Sequence, residues 1–358
     1  MKPVQTTNRI FLALLAVALP AALASHLLHW PDVVTFALSC AAVIPLARYI
    51  GEATEVLAHK VGSGIGGLLN ATFGNAAELI LAFAALRAGK IQVVKASLTG
   101  SIIGNLLLIV GLSMLLGGLG RAKQTYNPTA ALTGVSMMFL AVVALGLPDL
   151  YHLAKGVEAE PHLVSMSVGI ALVMLVIYAL SLVFSIKTHA HLYTDEREVV
   201  EGVSWSTTRA VTVLAAAAAG TALMAELLVH ALEGASAKLH LTETFIGVVV
   251  VAIVGNAAEH ATAVVMAVKD RMNLAFNIAV ESSKQIALLV APVLVLASLA
   301  VGPGPMTLEF THLEVVAVAI GVGALTLTAL DGESNWLEGA MLLALYAMLA
   351  VAFYHTTP

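Results

Sequence analysis

The sequence predicts an all-α polytopic membrane protein of eleven transmembrane helices, built as one leading helix plus two inverted-topology five-helix repeats. Three observations carry this. Of 358 residues, 59% are hydrophobic and only 11% charged, where soluble domains carry about 25% charge. The apolar residues gather into runs long enough to cross about 30 Å of hydrocarbon, some by tilting. One five-residue phrase, Gly74-Asn75-Ala76-Ala77-Glu78, returns as Gly255-Asn256-Ala257-Ala258-Glu259.

The eleven runs lie near 10–28, 33–49, 64–86, 96–119, 129–147, 163–186, 210–232, 244–268, 273–301, 313–330 and 336–354. The first has a rival reading as a signal peptide, since Lys2 and Arg9 precede an apolar run ending Ala22-Leu23-Ala24. Between the sixth and seventh runs lies a polar linker with His189, His191, Asp195, Glu196, Glu198 and Glu201. It reads as a solvated connector or as a regulatory cation site. With the N-terminus in the cytoplasm, eleven Lys and Arg fall on the cytoplasmic side and five, including Arg87, Lys90 and Lys95, on the other. That asymmetry favours N-in. The single Cys40 excludes a disulfide framework and a cysteine metal site.

The repeat sets the architecture. The two copies of the phrase are 181 positions apart and five crossings separate them, so they run in opposite directions. This is the arrangement that places a transport site near the midplane. The same offset carries Ser101 onto Ser282 and Gly100 onto Glu281. The boundaries that follow are 1–30 for the leading helix, 31–187 and 210–358 for the repeats, and 188–209 for the linker.

A carboxylate in the hydrocarbon costs about 2.5–3.5 kcal/mol on insertion scales, so Glu78 and Glu259 need a purpose. On a helix Asn75 shares a face with Glu78, and Asn256 with Glu259. Carboxylate and amide oxygens suit a hard cation such as Ca²⁺. The alternative is a pair of polar patches that help helices pack. Gly62, Gly64, Gly66 and Gly67 precede the first copy. They would either unwind the backbone and expose carbonyls to an ion, or let helices pack closely.

The run Gly66-Gly67-Leu68-Leu69-Asn70-Ala71-Thr72-Phe73-Gly74-Asn75-Ala76-Ala77-Glu78 resembles the first signature of the Ca²⁺/H⁺ exchangers of the cation/Ca²⁺ antiporter superfamily. Gly255-Asn256-Ala257-Ala258-Glu259-His260 resembles the second, and Gln285-Ile286-Ala287-Leu288 and Asp331-Gly332-Glu333-Ser334-Asn335 are also similar to that family. The resemblance implies eleven spans with the first retained. It implies Glu78 and Glu259 as the carboxylates that take either cation or protons. Asn75, Asn256, Ser101, Asn105, Ser282 and Gln285 would line the site. His260 would tune proton affinity or only bind a neighbouring helix. The chain departs from the family at Glu281-Ser282-Ser283-Lys284-Gln285, where the family has Gly-Ser-Ser, an apolar residue and Gln. Glu281 and Lys284 share a helix face. They read as a self-neutralised pair or as a lysine that weakens cation binding. Glu226 is a further carboxylate in an apolar run, for an ion pathway or a structural ion pair.

Two carboxylates can neutralise one divalent cation or hold two protons, while the empty, doubly charged state is costly in apolar surroundings. The expectation is therefore an obligate Ca²⁺/H⁺ antiporter that alternates access, not an enzyme. Exchange of Mn²⁺ or another divalent cation, Na⁺-driven exchange, or a cation channel are the alternatives. No cofactor is expected. The partners are Ca²⁺, protons and the bilayer, with no nucleic acid, and the location is the cytoplasmic membrane of a prokaryote.

Overall fold

A computed structural model of the chain describes residues 2–61, 66, 69–70, 72–190, 192 and 205–356, with side chains from residue 9 onward. Most of the linker and Gly62, Gly64 and Gly67 lie outside the described residues. Twelve helices matter here. They are α1 (Lys2–Leu27), α2 (Asp32–Val61), α3 (Ala76–Arg87), α4 (Ile91–Gly118), α5 (Pro128–Lys155), α6 (Glu160–Val183), α7 (Thr207–Leu239), α8 (Glu243–Gly255), α9 (Ala257–Val268), α10 (Met272–Ser298), α11 (His312–Ala329) and α12 (Trp336–Tyr354). A two-residue antiparallel pairing of Gln124 with Ser334 and Thr125 with Glu333 is the only sheet among the described residues.

Among the described residues eight helices are long and apolar enough to cross a membrane, or nine if the bent pair α8–α9 is one span. The sequence count of eleven differs for two physical reasons. Residues 128–188 form one near-continuous helical stretch, although Gly156 (φ +58°) breaks it between α5 and α6. The run 64–86 is interrupted at Gly74-Asn75, and part of it lies outside the described residues. Helices also outrun the hydrocarbon. The run 33–49 belongs to a 30-residue helix, roughly 45 Å long, whose last turns carry Glu52, Glu55, His59 and Lys60.

Burial ranks the helices. In α4 and α10, 78% of the apolar window is buried, against 17% in α1 and α12. The centre of the bundle is thus formed by the two helices that follow the repeated phrases. Small residues allow the close approach: a Cβ on Gly339 of α12 would stand 2.3 Å from the Leu115 amide nitrogen of α4.

Polar contacts between connections sort into two ends. At one end Arg87 meets Glu226, Lys90 meets Glu233 and Glu243, and Lys95 meets the Glu309 carbonyl. At the other, Arg121 and Gln124 meet Asp270, Lys123 meets Glu333, and the Asn127 amide donates to Asn273.

Candidate cation site

The two repeated phrases break their helices at the asparagine. Asn75 (φ −99°, ψ 27°) and Asn256 (φ −94°, ψ 5°) sit in the sparsely allowed bridge region. The second break bends the chain by 62° between α8 and α9. Each break frees a helix N-terminus, and Glu78 and Glu259 lie in the first turns of α3 and α9. Unpaired N–H groups and the helix dipole there favour negative charge. The protein thus offers two carboxylates a polar setting inside an apolar bundle without adding a basic side chain.

The two half-sites are crossed. Asn256 Nδ2 donates to Ser101 Oγ of α4 (2.9 Å), while Ser282 Oγ of α10 donates to Asn75 Oδ1 (3.1 Å). Each phrase is therefore tied to the central helix of the opposite half. Asn75 Nδ2 donates to Gln285 Oε1, Asn105 Nδ2 donates to Ser282 Oγ (3.0 Å), and His260 Nε2 donates to Asn105 Oδ1 (3.0 Å). Asn256 Oδ1 stands 3.5 Å from Ser282 Oγ. All of these polar side chains are buried.

The carboxylates are held less fully. Glu78 and Glu259 are electrostatic neighbours, and Ser282 lies within hydrogen-bonding reach of Glu259. Glu259 Oε2 is buried without a hydrogen-bond partner among the described residues. Glu78 packs on Gly255, where a Cβ would stand 3.3 Å from its Cγ. A cavity of about 10 Å³ lies against Glu78, Ser97 and Ser101, the size of a single water or small ion. Among the described residues no three His, Cys, Asp or Glu converge as metal ligands. The donor set is two carboxylates with amide and hydroxyl oxygens, which fits a hard cation and not a transition metal.

The structure brings Glu78, Glu259, Asn75, Asn256, Ser101, Asn105, Ser282, Gln285 and His260 into one network. Glu226 is not among them; of its two readings the structure shows the ion pair. Its side chain is 61% exposed and pairs with Arg87 (3.1 Å) at the end of α3, nine residues, or about 13 Å of helix rise, from Glu78. Glu281 and Lys284 do pair with each other. Lys284 is 3% exposed and Glu281 33%, and both face a cavity of about 250 Å³ between α5, α6 and α10, with Thr133 and Ser181 on its wall. His260 makes the inter-helix bond. Gly66 supports close packing at its own position, since a Cβ there would meet the Ala58 carbonyl oxygen at 2.2 Å.

Two features escape a sequence reading. Ser97 lies beside Glu78, and only its i, i+4 spacing to Ser101 signals this. Both central helices widen into a π-helical segment beside the site, Gly104–Ile109 in α4 and Ile286–Val290 in α10. Such bulges recur at functional sites but have no composition signature. The Gly100 position is decided by packing: its Cβ would meet the Val248 carbonyl oxygen at 2.1 Å. Gly100→Val should therefore lower the yield of monodisperse, detergent-solubilised protein and its melting temperature, because backbone cannot yield as a side chain does. The overpacking cost is about 1–3 kcal/mol or more. A wild-type melting temperature would show the contact to be slack.

The sodium/calcium exchanger protein family matches residues 32–187 and 209–355. The Ca²⁺/H⁺ antiporter of Synechocystis sp. is 47% identical over 370 aligned positions, covering 98% of each chain. The Ca²⁺/H⁺ antiporter ChaA of Bacillus subtilis is 43% identical, over 97% of this chain and 99% of its own. The solved structure of native YfkE superposes with a TM-score of 0.84 at 41% identity, over 97% of this chain and 100% of that one.

Proposed function

Because the chain belongs to the sodium/calcium exchanger protein family, we propose that it is a secondary antiporter exchanging Ca²⁺ for H⁺ across a membrane by alternating access. The observation that carries this reading is the pair Glu78 and Glu259, neighbours in charge at two broken-helix N-termini, with one buried carboxylate oxygen unpartnered. Such a pair repels itself when empty and is neutralised by one divalent cation or by protons. Rocking is then easiest in either loaded form, which couples the two flows. Asn75, Asn256, Ser101, Ser282 and Gln285 would supply and orient the remaining oxygens, and His260 would fix Asn105. Ca²⁺ and H⁺ transport by the similar antiporters of Synechocystis sp. and Bacillus subtilis supports the choice of ions.

The reading includes eleven spans: a leading helix (1–30) and two inverted repeats (31–187 and 210–358) joined by a cytoplasmic linker (188–209). The crossed Asn256–Ser101 and Asn75–Ser282 contacts support inverted repeats. The sorting of connections into two ends supports alternating crossings. The charge asymmetry supports an N-terminus inside, and the similar bacterial antiporters support the cytoplasmic membrane of a prokaryote.

Purified protein in proteoliposomes should accumulate Ca²⁺ when a pH gradient is imposed, in the absence of Na⁺. Uptake that requires Na⁺, or that proceeds down the Ca²⁺ gradient with no pH dependence, would replace this reading with Na⁺-driven exchange or a channel. Because cation and protons would share oxygens, apparent Ca²⁺ affinity should fall as pH drops through the range where the two carboxylates protonate. Isothermal titration at several pH values checks this, and a flat profile from about pH 5 to about pH 8 contradicts a shared site.

A further inference from the structure

Away from the cation site, two helices exchange histidine–carboxylate pairs. Asp149 and His152 lie three apart near the end of α5. Glu309 and His312 lie three apart where α11 begins. The pairs are crossed: His312 Nδ1 meets an Asp149 carboxylate oxygen at 2.8 Å, and His152 Nδ1 meets Glu309 Oε1. These residues fall outside the apolar runs 129–147 and 313–330.

The stretch they hold is built into the bundle end. Met306, Leu308 and Phe310 are buried alternately, as in an extended strand. The Leu308 amide donates to Ser167 Oγ of α6 (2.9 Å), and the Met306 amide to Ser298 Oγ of α10 (2.7 Å). Lys95 Nζ donates to the Glu309 carbonyl and to Thr307 Oγ1. Lys95 belongs to α4, about 9 Å of helix rise from Ser101. The segment therefore touches the helix that carries half of the cation site.

We propose that the crossed pairs hold a second proton site at His152, separate from the cation site, which clamps segment 306–312 to α5 while the His152 imidazole is protonated and loosens it as pH at that face rises. The charged groups around it are few. Asp149 and Glu160 act on His152 besides Glu309, Lys95 lies beside Glu309 and is also acted on by Glu314, and Asp149 faces His312. The hydrogen bond and charge of Glu309 hold the His152 pKa above its ordinary value, about 6.5. The His152–Glu309 tie is therefore fully present below the free imidazole value and is lost as pH rises through the raised one. The clamp rests on the crossed contacts and on the charge of Glu309 beside His152; its effect on transport rests on the antiporter reading.

The test compares wild type with the His152→Gln/His312→Gln double variant in lipid nanodiscs. Amide hydrogen exchange of residues 306–312 is followed at about pH 5.5 and about pH 8.5. At the lower pH the wild-type segment should exchange about two- to fivefold more slowly than the variant's, and at the higher pH the two should converge. Equal exchange at both pH values overturns the clamp, whatever transport shows. Should the double variant fail to fold, Glu309→Gln makes the same comparison for the His152 pair. In proteoliposomes the variant should lose a step in Ca²⁺ uptake tied to pH on that face, while competition between Ca²⁺ and protons persists. A wild-type pH profile in a variant whose exchange has changed removes the clamp from transport control.

Discussion

Glu78→Gln and Glu259→Gln should each reduce pH-gradient-driven Ca²⁺ uptake at least about 100-fold, at protein levels close to wild type. Glutamine keeps the size and most of the hydrogen bonding but removes one of two charges facing the cation. Interaction of unit charges at 4 Å is about 4 kcal/mol at an effective dielectric of 20, and each 1.4 kcal/mol is tenfold in affinity, so a loss of this size is conservative. Folding should not suffer, because among the described residues neither carboxylate is part of an ion pair and Glu259 Oε2 has no partner to lose. The controls are size-exclusion profiles and melting temperatures of the solubilised variants. Near-normal uptake by both single variants would remove the two-carboxylate site. Loss in only one would leave a one-carboxylate site with a different proton count.

Lys284→Leu should damage the protein, and Glu281→Gly with Lys284→Leu should restore it. Lys284 is almost wholly buried and its ammonium is held by Glu281. Removing one partner of a buried pair costs about 3–5 kcal/mol. The one-third exposure of Glu281 to the cavity beside it places this case at the low end. Removing both partners strands no charge. Melting temperature and Ca²⁺ uptake should fall together in the single variant and recover together in the double. If Lys284→Leu instead keeps its melting temperature and binds Ca²⁺ more tightly, while Glu281→Gly changes nothing, then the ammonium acts on the cation and the pair is not structural. The geometry favours the structural reading, since Glu281 and Lys284 line a cavity among α5, α6 and α10, whereas Ser282 and Gln285 bond across to Asn75.

Several properties of this chain follow from the order of its residues alone. An apolar run of about 20 residues can satisfy its backbone in lipid only as a helix. The membrane helices were therefore legible, as was the pairing of Glu78 with Glu259 through the repeated phrase. The carboxylates stand out because nothing else in such runs justifies their cost. Helical spacing likewise anticipated that Glu281 and Lys284 would meet. What composition could not decide was which groups meet across helices. Glu226 sits in a long apolar run like that of Glu78, yet in the folded chain it stands beside Arg87 and outside the Glu78 network. Asp149, His152, Glu309 and His312 are ordinary loop residues in the sequence and become crossed pairs only because α5 and α11 pack side by side. The π-helical segments have no composition signature, and the partners of Asn75 and Asn256 lie on the helices of the opposite half. Local periodicity reports how each helix partitions between lipid and protein, because that energy is a sum over its own residues. The site is a property of distances between helices, which only packing sets.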